Sequence, residues 1–277
     1  FTPLEETEKW EIQPGKAYFV SRGGSLIAAF RVPKQTLKSA ILLASHTDSP
    51  CLKLRANFEP LSHAIGRFGT EIYGAPILHS WLDRDLAIAG RIQVQTNNGN
   101  VVLHLVHIEE SPVIIPQLAL HLDRTSADKG FLVHKQDHLK PIFSLNATEH
   151  PLEHVLQKQY PHKKLLSADL YLVPTQKASL VGFEKECIAS YRLDNLTSVY
   201  ASLSALLYSK AASHALQIAF FWDHEEIGSM TQLGADSRFA DELLERISLA
   251  FALTKEEFFC MKARSFCISS DAAHGFH

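Results

Sequence analysis

The sequence predicts an α/β fold: a parallel sheet with crossover helices, interrupted by a long β-rich stretch. Three observations carry this. Residues 40–44 (Ala-Ile-Leu-Leu-Ala) and 217–222 (Gln-Ile-Ala-Phe-Phe-Trp) are continuous apolar runs of strand length, as expected for strands buried on both faces. Amphipathic stretches separate the second run from a third strand at 265–269, and strand–helix–strand order implies parallel pairing. The middle of the chain, 59–178, has another texture, with short β-like segments separated by turn residues such as Asn97-Asn98-Gly99-Asn100.

The elements follow in order. Residues 17–20 and 25–30 flank Arg22-Gly23-Gly24 and read as a hairpin. The strand at 40–44 runs straight into Ser45-His46-Thr47-Asp48-Ser49-Pro50. Leu196, Val199, Leu203, Leu206 and Leu207 recur at helical spacing across 196–213. Phe239, Leu243, Leu244, Ile247 and Phe251 mark a second helix. The expected organisation is an α/β domain from 1–58 and 179–277, with a β-rich domain at 59–178 placed inside it.

Composition narrows the class. The 277 residues carry 27 Lys and Arg against 30 Asp and Glu, a net charge of −3, with 46% hydrophobic residues. That balance excludes a wholly disordered chain and argues against a nucleic-acid binder. Cys51, Cys187, Cys260 and Cys267 form no CxxC pair and read as reduced thiols of an intracellular protein. No apolar run reaches 18 residues and no signal peptide is visible, so the expected location is the cytoplasm. Both ends, Phe1 and His277, read as cut. Fifteen histidines are many beside 27 basic residues, but ten of them lie in 59–178, away from the strand ends.

Three polar clusters fall in equivalent places. His46 and Asp48 follow the first buried strand, Asp223-His224-Glu225-Glu226 the second, and Asp271 and His274 the third. Open α/β sheets bind ligands at the carboxyl ends of their strands, so the clusters can converge. Asp194-Asn195 precedes the helix at 196 and is by itself best read as an N-cap. The donor types suit zinc, and two-metal hydrolases share a bridging carboxylate between ions about 3.5–4 Å apart. Asp48, two residues after His46, can accept the second imidazole N–H and fix the tautomer. Glu225 and Glu226 would point apart on an extended strand, but at a strand end one can ligate while the other handles water.

These residues carry a resemblance. His46-Thr47-Asp48-Ser49-Pro50, Trp81-Leu82-Asp83-Arg84-Asp85-Leu86, Arg192-Leu193-Asp194-Asn195-Leu196, Asp223-His224-Glu225-Glu226-Ile227-Gly228-Ser229 and Ser270-Asp271-Ala272-Ala273-His274 resemble the M18, or aspartyl, aminopeptidases, in the family's order and across nearly the whole chain. The resemblance implies an α/β/α sandwich of the zinc-aminopeptidase type with an inserted β-rich dimerisation domain. It implies two Zn2+ ions per subunit in the complete protein, peptide substrates cleaved after an N-terminal Asp or Glu, and an oligomer built from dimers, with no nucleic-acid or membrane partner. By position, His46, Asp194 and Asp271 would hold one ion, and Asp194 and Glu226 the other. Glu225 would be the general base and Asp48 would orient His46. His121, in Ile115–Leu122, would stabilise the oxyanion in a neighbouring subunit.

Family members continue past residue 277, and the second ion's histidine lies in that tail. The expectation is therefore an active full-length enzyme and an inactive 277-residue chain. Two other readings stand beside it: a related dinuclear metal hydrolase with a different residue preference, and an incomplete chain serving only as an assembly subunit. His150-Pro151-Leu152-Glu153-His154 fits an HxxEH zinc pattern by chance: Pro151 is tolerated at a first helical position, but His150 then falls at the cap rather than on a full turn. His104 and His107, at odd spacing on a strand, face opposite sides, and His134 and His138 read as solvated. Phe68 and Trp81 are expected in the core of the middle region.

Overall fold

The computed structural model describes residues 1–55, 65–124, 126, 129–146, 155–156 and 164–275. They divide into two compact units, Phe1–Ser49 with Arg192–His277, and Pro50–Tyr191. The second unit thus occupies the chain between the two segments of the first.

The first unit opens with β1 (Thr2–Pro3), β2 (Ala17–Arg22), β3 (Leu26–Arg31) and β4 (Ser39–His46). β2 and β3 form the expected antiparallel hairpin. Its turn needs glycine: Gly23 and Gly24 have φ of 61° and 75°, and a Cβ on Gly23 would lie 2.7 Å from Leu233. The second unit follows, with β5 (Cys51–Leu54), β6 (Gly66–Arg67), β7 (Thr70–Tyr73), β8 (Asp85–Gln95), β9 (Val101–Ile114), β10 (Ile142–Ser144), β11 (Lys164–Pro174), β12 (Ser179–Val181) and β13 (Cys187–Ala189). The chain then returns to the first unit through α1 (Leu193–Tyr208), β14 (Ala215–Trp222), α2 (Phe239–Ala250), α3 (Lys255–Ala263) and β15 (Phe266–Ser269).

The first unit's sheet has the order β1-β2-β3-β14-β4-β15. β14 and β15 both run parallel to β4, with Trp222 opposite His46 and Ser269 opposite Ala44. The carboxyl ends of three parallel strands therefore lie side by side. β14 explains the layering through its period of two. Ile218, Phe220 and Trp222 pack with Phe239, Leu243 and Ile247 of α2 and Phe258 and Met261 of α3. Ala219 and Phe221 pack with Leu206 of α1 on the alternate face. Each such large side chain taken from water contributes roughly 1.5–3 kcal/mol, so the strand order is set by burial on both faces.

Two details depart from the sequence reading. α1 stops at Tyr208 rather than continuing to 213: Ser209 is already extended, with ψ of 149°, and the carbonyls of Ala212, Ser213 and His214 accept the N–H groups of Lys34, Gln35 and Lys38 instead of helical partners. α3 went unread. It begins at a capping box, in which the Thr254 side chain accepts the Glu257 N–H and Glu257 accepts the Thr254 N–H.

The second unit is a seven-stranded antiparallel sheet, β6-β10-β9-β8-β11-β5-β7, with a separate β12–β13 hairpin. It is wider than 59–178, since β5 pairs with both β11 and β7 and so belongs to this sheet. Leu52, Leu86, Ile92, Ile115, Leu139 and Leu170 are among its buried core residues, and Phe68 and Trp81 join them as expected. At the β8–β11 crossing Gly90 has φ of 151°, and a Cβ there would meet the Asp169 carbonyl at 2.2 Å. From β11 the Asp169 carboxylate contacts Lys53 Nζ of β5 at 2.6 Å and Arg91 Nε of β8 at 3.1 Å. No described helix is long and apolar enough to cross a membrane.

Candidate metal centre

The site grows from the end of β4. His46 is buried, at 4% exposure, at the end of a strand paired along both edges, with β14 up to this residue and with β15 up to Ala44. Its Nδ1 lies 3.1 Å from the Asp48 carbonyl oxygen and 3.4 Å from Asp48 Oδ1. The opposite nitrogen, Nε2, faces the carboxylates: 3.5 Å to Asp194 Oδ1, 3.5 Å to Asp271 Oδ1 and 3.7 Å to Glu225 Oε2. An imidazole held on one side by Asp48 presents a single nitrogen to the site.

β14 delivers the acidic pair. Beyond Trp222 the chain turns sharply, with His224 at φ 61°, into a short 3₁₀ turn over Glu225–Ile227. His224 is anchored by its Nδ1, 2.7 Å from Thr231 Oγ1. The first N–H groups of such a turn have no partner within it. Asp48 supplies one: Oδ1 accepts from Glu225 N–H at 3.2 Å and Oδ2 from Glu226 N–H at 3.1 Å. The same nearly buried carboxylate therefore touches His46 and fixes the backbone that carries both glutamates.

The entry to α1 brings in Asp194. It is not an N-cap; Arg192 holds that position in left-handed geometry, with no side-chain cap bond. Arg192 Nη2 donates to the Thr47 carbonyl at 2.6 Å, and Ser49 Oγ donates to the Asp194 carbonyl at 2.9 Å. Asn195 does not cap either: it is 1% exposed, and its Nδ2 donates to the Ser270 carbonyl at 2.9 Å. Ser270 N–H in turn donates to the Ala44 carbonyl at 2.8 Å, which ties the end of β15, and Asp271 after it, to β4. The sequence reading missed Asn195 and Ser49 as parts of this frame. The asparagine's place before an amphipathic helix disguised it as a cap.

Two sets of ligand atoms come within 4.8 Å of one another: His46 with Asp194 and Asp271, and His46 with Glu225 and Glu226. The electrostatics match that crowding. Burial, then the charge of Asp271 and a hydrogen bond with it, raise the pKa of Asp194, and His46 and His274 offset this only in part. Burial, then the charge of Glu225, push Glu226 up to about 7. His46 is driven toward its neutral form by burial, yet the hydrogen bond to Asp48 and the charges of Glu225 and Asp48 outweigh that and hold it up at about 9. Carboxylates under mutual repulsion around one imidazole, with nitrogen and oxygen donors only, fit a divalent cation such as zinc.

The other singled-out residues fall within Pro50–Tyr191. His121 lies in the second unit, exposed in the turn at 120–122. Asp83 of the Trp81–Leu86 motif lies there too, at φ 52°. His134 Nδ1 contacts Asp137 at 2.8 Å, and its backbone N–H donates to His138 Nδ1, so the two histidines are taken up locally. The stretch His150–His154 lies outside the described residues.

Comparisons with known proteins agree in one family. The family model described as aminopeptidase I zinc metalloprotease (M18) matches residues 1–277. A protein named "Probable M18 family aminopeptidase 2" from Clostridium novyi is 36% identical over 290 residues, covering 100% of this chain and 66% of the relative. Its namesake from Borreliella burgdorferi is 37% identical over 276 residues, covering 99% and 63%. The chain thus spans about two thirds of the length of these curated relatives. Among solved structures, a chain of the Ape4 and Nbr1 complex superposes with a TM-score of 0.90 at 32% identity, covering 99% of this chain and 58% of that one. Chaetomium thermophilum mApe1 gives 0.90 at 26%, covering 100% and 68%, and the S. cerevisiae mApe1 dodecamer 0.81 at 26%, covering 100% and 66%. Matched along its whole length, with a mixed α/β fold like that of the solved members, the chain belongs to the M18 family of aminopeptidases, which are zinc metalloproteases.

Proposed function

We propose that this chain carries the catalytic centre of a two-zinc aminopeptidase that removes an N-terminal Asp or Glu from peptides. The observation that carries the reading is the convergence of His46 and Asp271, beyond the ends of β4 and β15, with Asp194 at the entry to α1, and of His46 with Glu225 and Glu226 beyond β14. In this reading the first unit is an α/β/α sandwich, and Pro50–Tyr191 is an inserted dimerisation domain. The whole protein is read as a cytoplasmic homo-oligomer built from dimers; the dodecameric mApe1 supports the oligomeric part of that reading.

His46, Asp194 and Asp271 would hold one ion, and Asp194 and Glu226 the second, with Asp194 between them. Ions held there supply Lewis-acid polarisation of the scissile carbonyl and favour ionisation of water. The remaining work belongs to side chains. The Glu225 carboxylate takes a proton from the attacking water and delivers it to the leaving amine. Asp48 keeps His46 and the Glu225–Glu226 turn in register. His121, supplied by a neighbouring subunit, donates a hydrogen bond to the developing oxyanion.

The test uses the full natural chain loaded with zinc and a panel of Asp-, Glu-, Leu- and Ala-amides. Preferential hydrolysis of the Asp and Glu substrates, lost on chelation, is expected. A preference for Leu or Ala would replace the acidic-residue assignment with a related dinuclear hydrolase. No hydrolysis of any of the four would remove the catalytic reading.

A further inference from the structure

We infer that Asp83 is a positioning residue for the segment that carries His121; this rests on the reading of His121 given above. The observation is a ladder that outlasts its strands. β8 and β9 pair up to Asp85 opposite Ile114. Past that pair, Asp83 N–H donates to the Ile115 carbonyl at 3.0 Å. The next residue, Pro116, has no N–H to offer, and regular pairing ends there. Asp83 then replaces a backbone acceptor with a side-chain one: its Oδ1 accepts from Gln117 N–H at 2.9 Å.

This reach depends on backbone geometry. Asp83 sits at φ 52°, a left-handed conformation that Asp and Asn adopt more readily than most residues. Trp81 and Leu82, just before it, are buried at 4% and 8%, and Ile115 is fully buried. The bonds from Asp83 therefore run from a fixed base to the last anchored point of the segment. Beyond Gln117 the chain leaves the core: Leu118, Leu120 and Leu122 are 63%, 61% and 66% exposed, and His121 stands among them. Its local turn is closed by Leu122 N–H donating to the Ala119 carbonyl at 2.9 Å. Rigid at its root and closed at its tip, the segment holds His121 at a set distance from the sheet. A misplacement of about 1 Å in a catalytic group can cost on the order of a hundredfold in rate, which is the scale on which such a tether acts.

Asp83→Gly removes the acceptor while tolerating φ 52°, and Asp83→Asn keeps an acceptor oxygen in the same geometry. In the full, assembled, zinc-loaded protein, Asp83→Gly is expected to lower kcat by about ten- to a hundredfold with KM, zinc content and assembly mass unchanged. Asp83→Asn is expected to restore most of kcat. Hydrogen exchange at the Gln117 amide should accelerate in Asp83→Gly and stay slow in Asp83→Asn. Native kcat in Asp83→Gly, or unchanged exchange at Gln117, overturns the proposal. His121→Ala is measured in parallel: if it keeps native kcat, the His121 reading has failed and this inference falls with it. If His121→Ala is impaired and Asp83→Gly is not, only the present inference fails.

Discussion

Glu226 donates its backbone N–H to Asp48 Oδ2 at 3.1 Å, and so the two halves of the metal site share one buried carboxylate. The other oxygen of Asp48 accepts from Glu225 N–H and faces His46 Nδ1. Replacing Asp48 by Ala frees both the imidazole and the acidic turn at once. Zinc affinity, measured by competition with a chelator, is expected to fall by about 10- to 100-fold, the usual cost of losing a partner that orients a ligand. Asp48→Asn should fall between the two, since its amide presents a donor where a backbone N–H now points. Native affinity in Asp48→Ala would show that the ligands are held without it.

Glu225→Gln keeps the size of the side chain and removes its basicity. A general base contributes about 10²- to 10⁴-fold, and kcat should drop on that scale while zinc content stays near native. Loss of zinc in parallel with kcat would make Glu225 a ligand instead. The glutamate's position, 3.7 Å from His46 Nε2, makes that a real contest between roles.

If the chain holds two ions as proposed, donor count should set unequal affinities for them. In the proposed allotment, His46, Asp194 and Asp271 would serve one ion, whose donor atoms lie within 4.8 Å of one another, while Asp194 and Glu226 would serve the other. Calorimetric titration of the 277-residue chain should give one tight zinc and a second that is weaker by at least tenfold. Two equal tight sites would contradict this allotment.

In the second unit, Asp169 lies between Lys53 and Arg91. Burial works to raise its pKa, but the two cations prevail and lower it from 3.8. A depressed folded-state pKa gives stability that is complete above 3.8 and is lost as pH falls through the lower folded value. Asp169→Asn should therefore cost about 1–3 kcal/mol at pH 7, as for a half-buried charge left without its partner. The difference in urea midpoint between variant and native should shrink when measured at acid pH. An undiminished difference would assign the effect to packing.

Much of this was legible in the sequence because burial writes itself in apolar runs. The runs at 40–44 and 217–222 became β4 and β14, β14 almost wholly buried and β4 half-buried along its middle, and parallel order then put His46 and Glu225 at one edge. α3 was not legible: Phe258 and Met261 are its only buried residues, too few for a periodic signal in nine residues. Asn195 was misread for a different reason. An asparagine ahead of a helix has a strong local use, and only the tertiary approach of Ser270 reveals that its amide is spent elsewhere. Local chemistry announces ligands well and announces the groups that hold ligands poorly, since the latter act across long sequence separations.

The parallel neighbours of β4 have one more consequence, and it concerns time. His46 is made early in synthesis and Asp271 near the end of these 277 residues, with a whole β-rich unit translated between them. Contacts of such sequence separation form late, because the chain must first be ordered between them. A nascent chain therefore completes the His46, Asp194 and Asp271 set only once β15 has paired with β4, later than the His46, Glu225 and Glu226 set that β14 brings together.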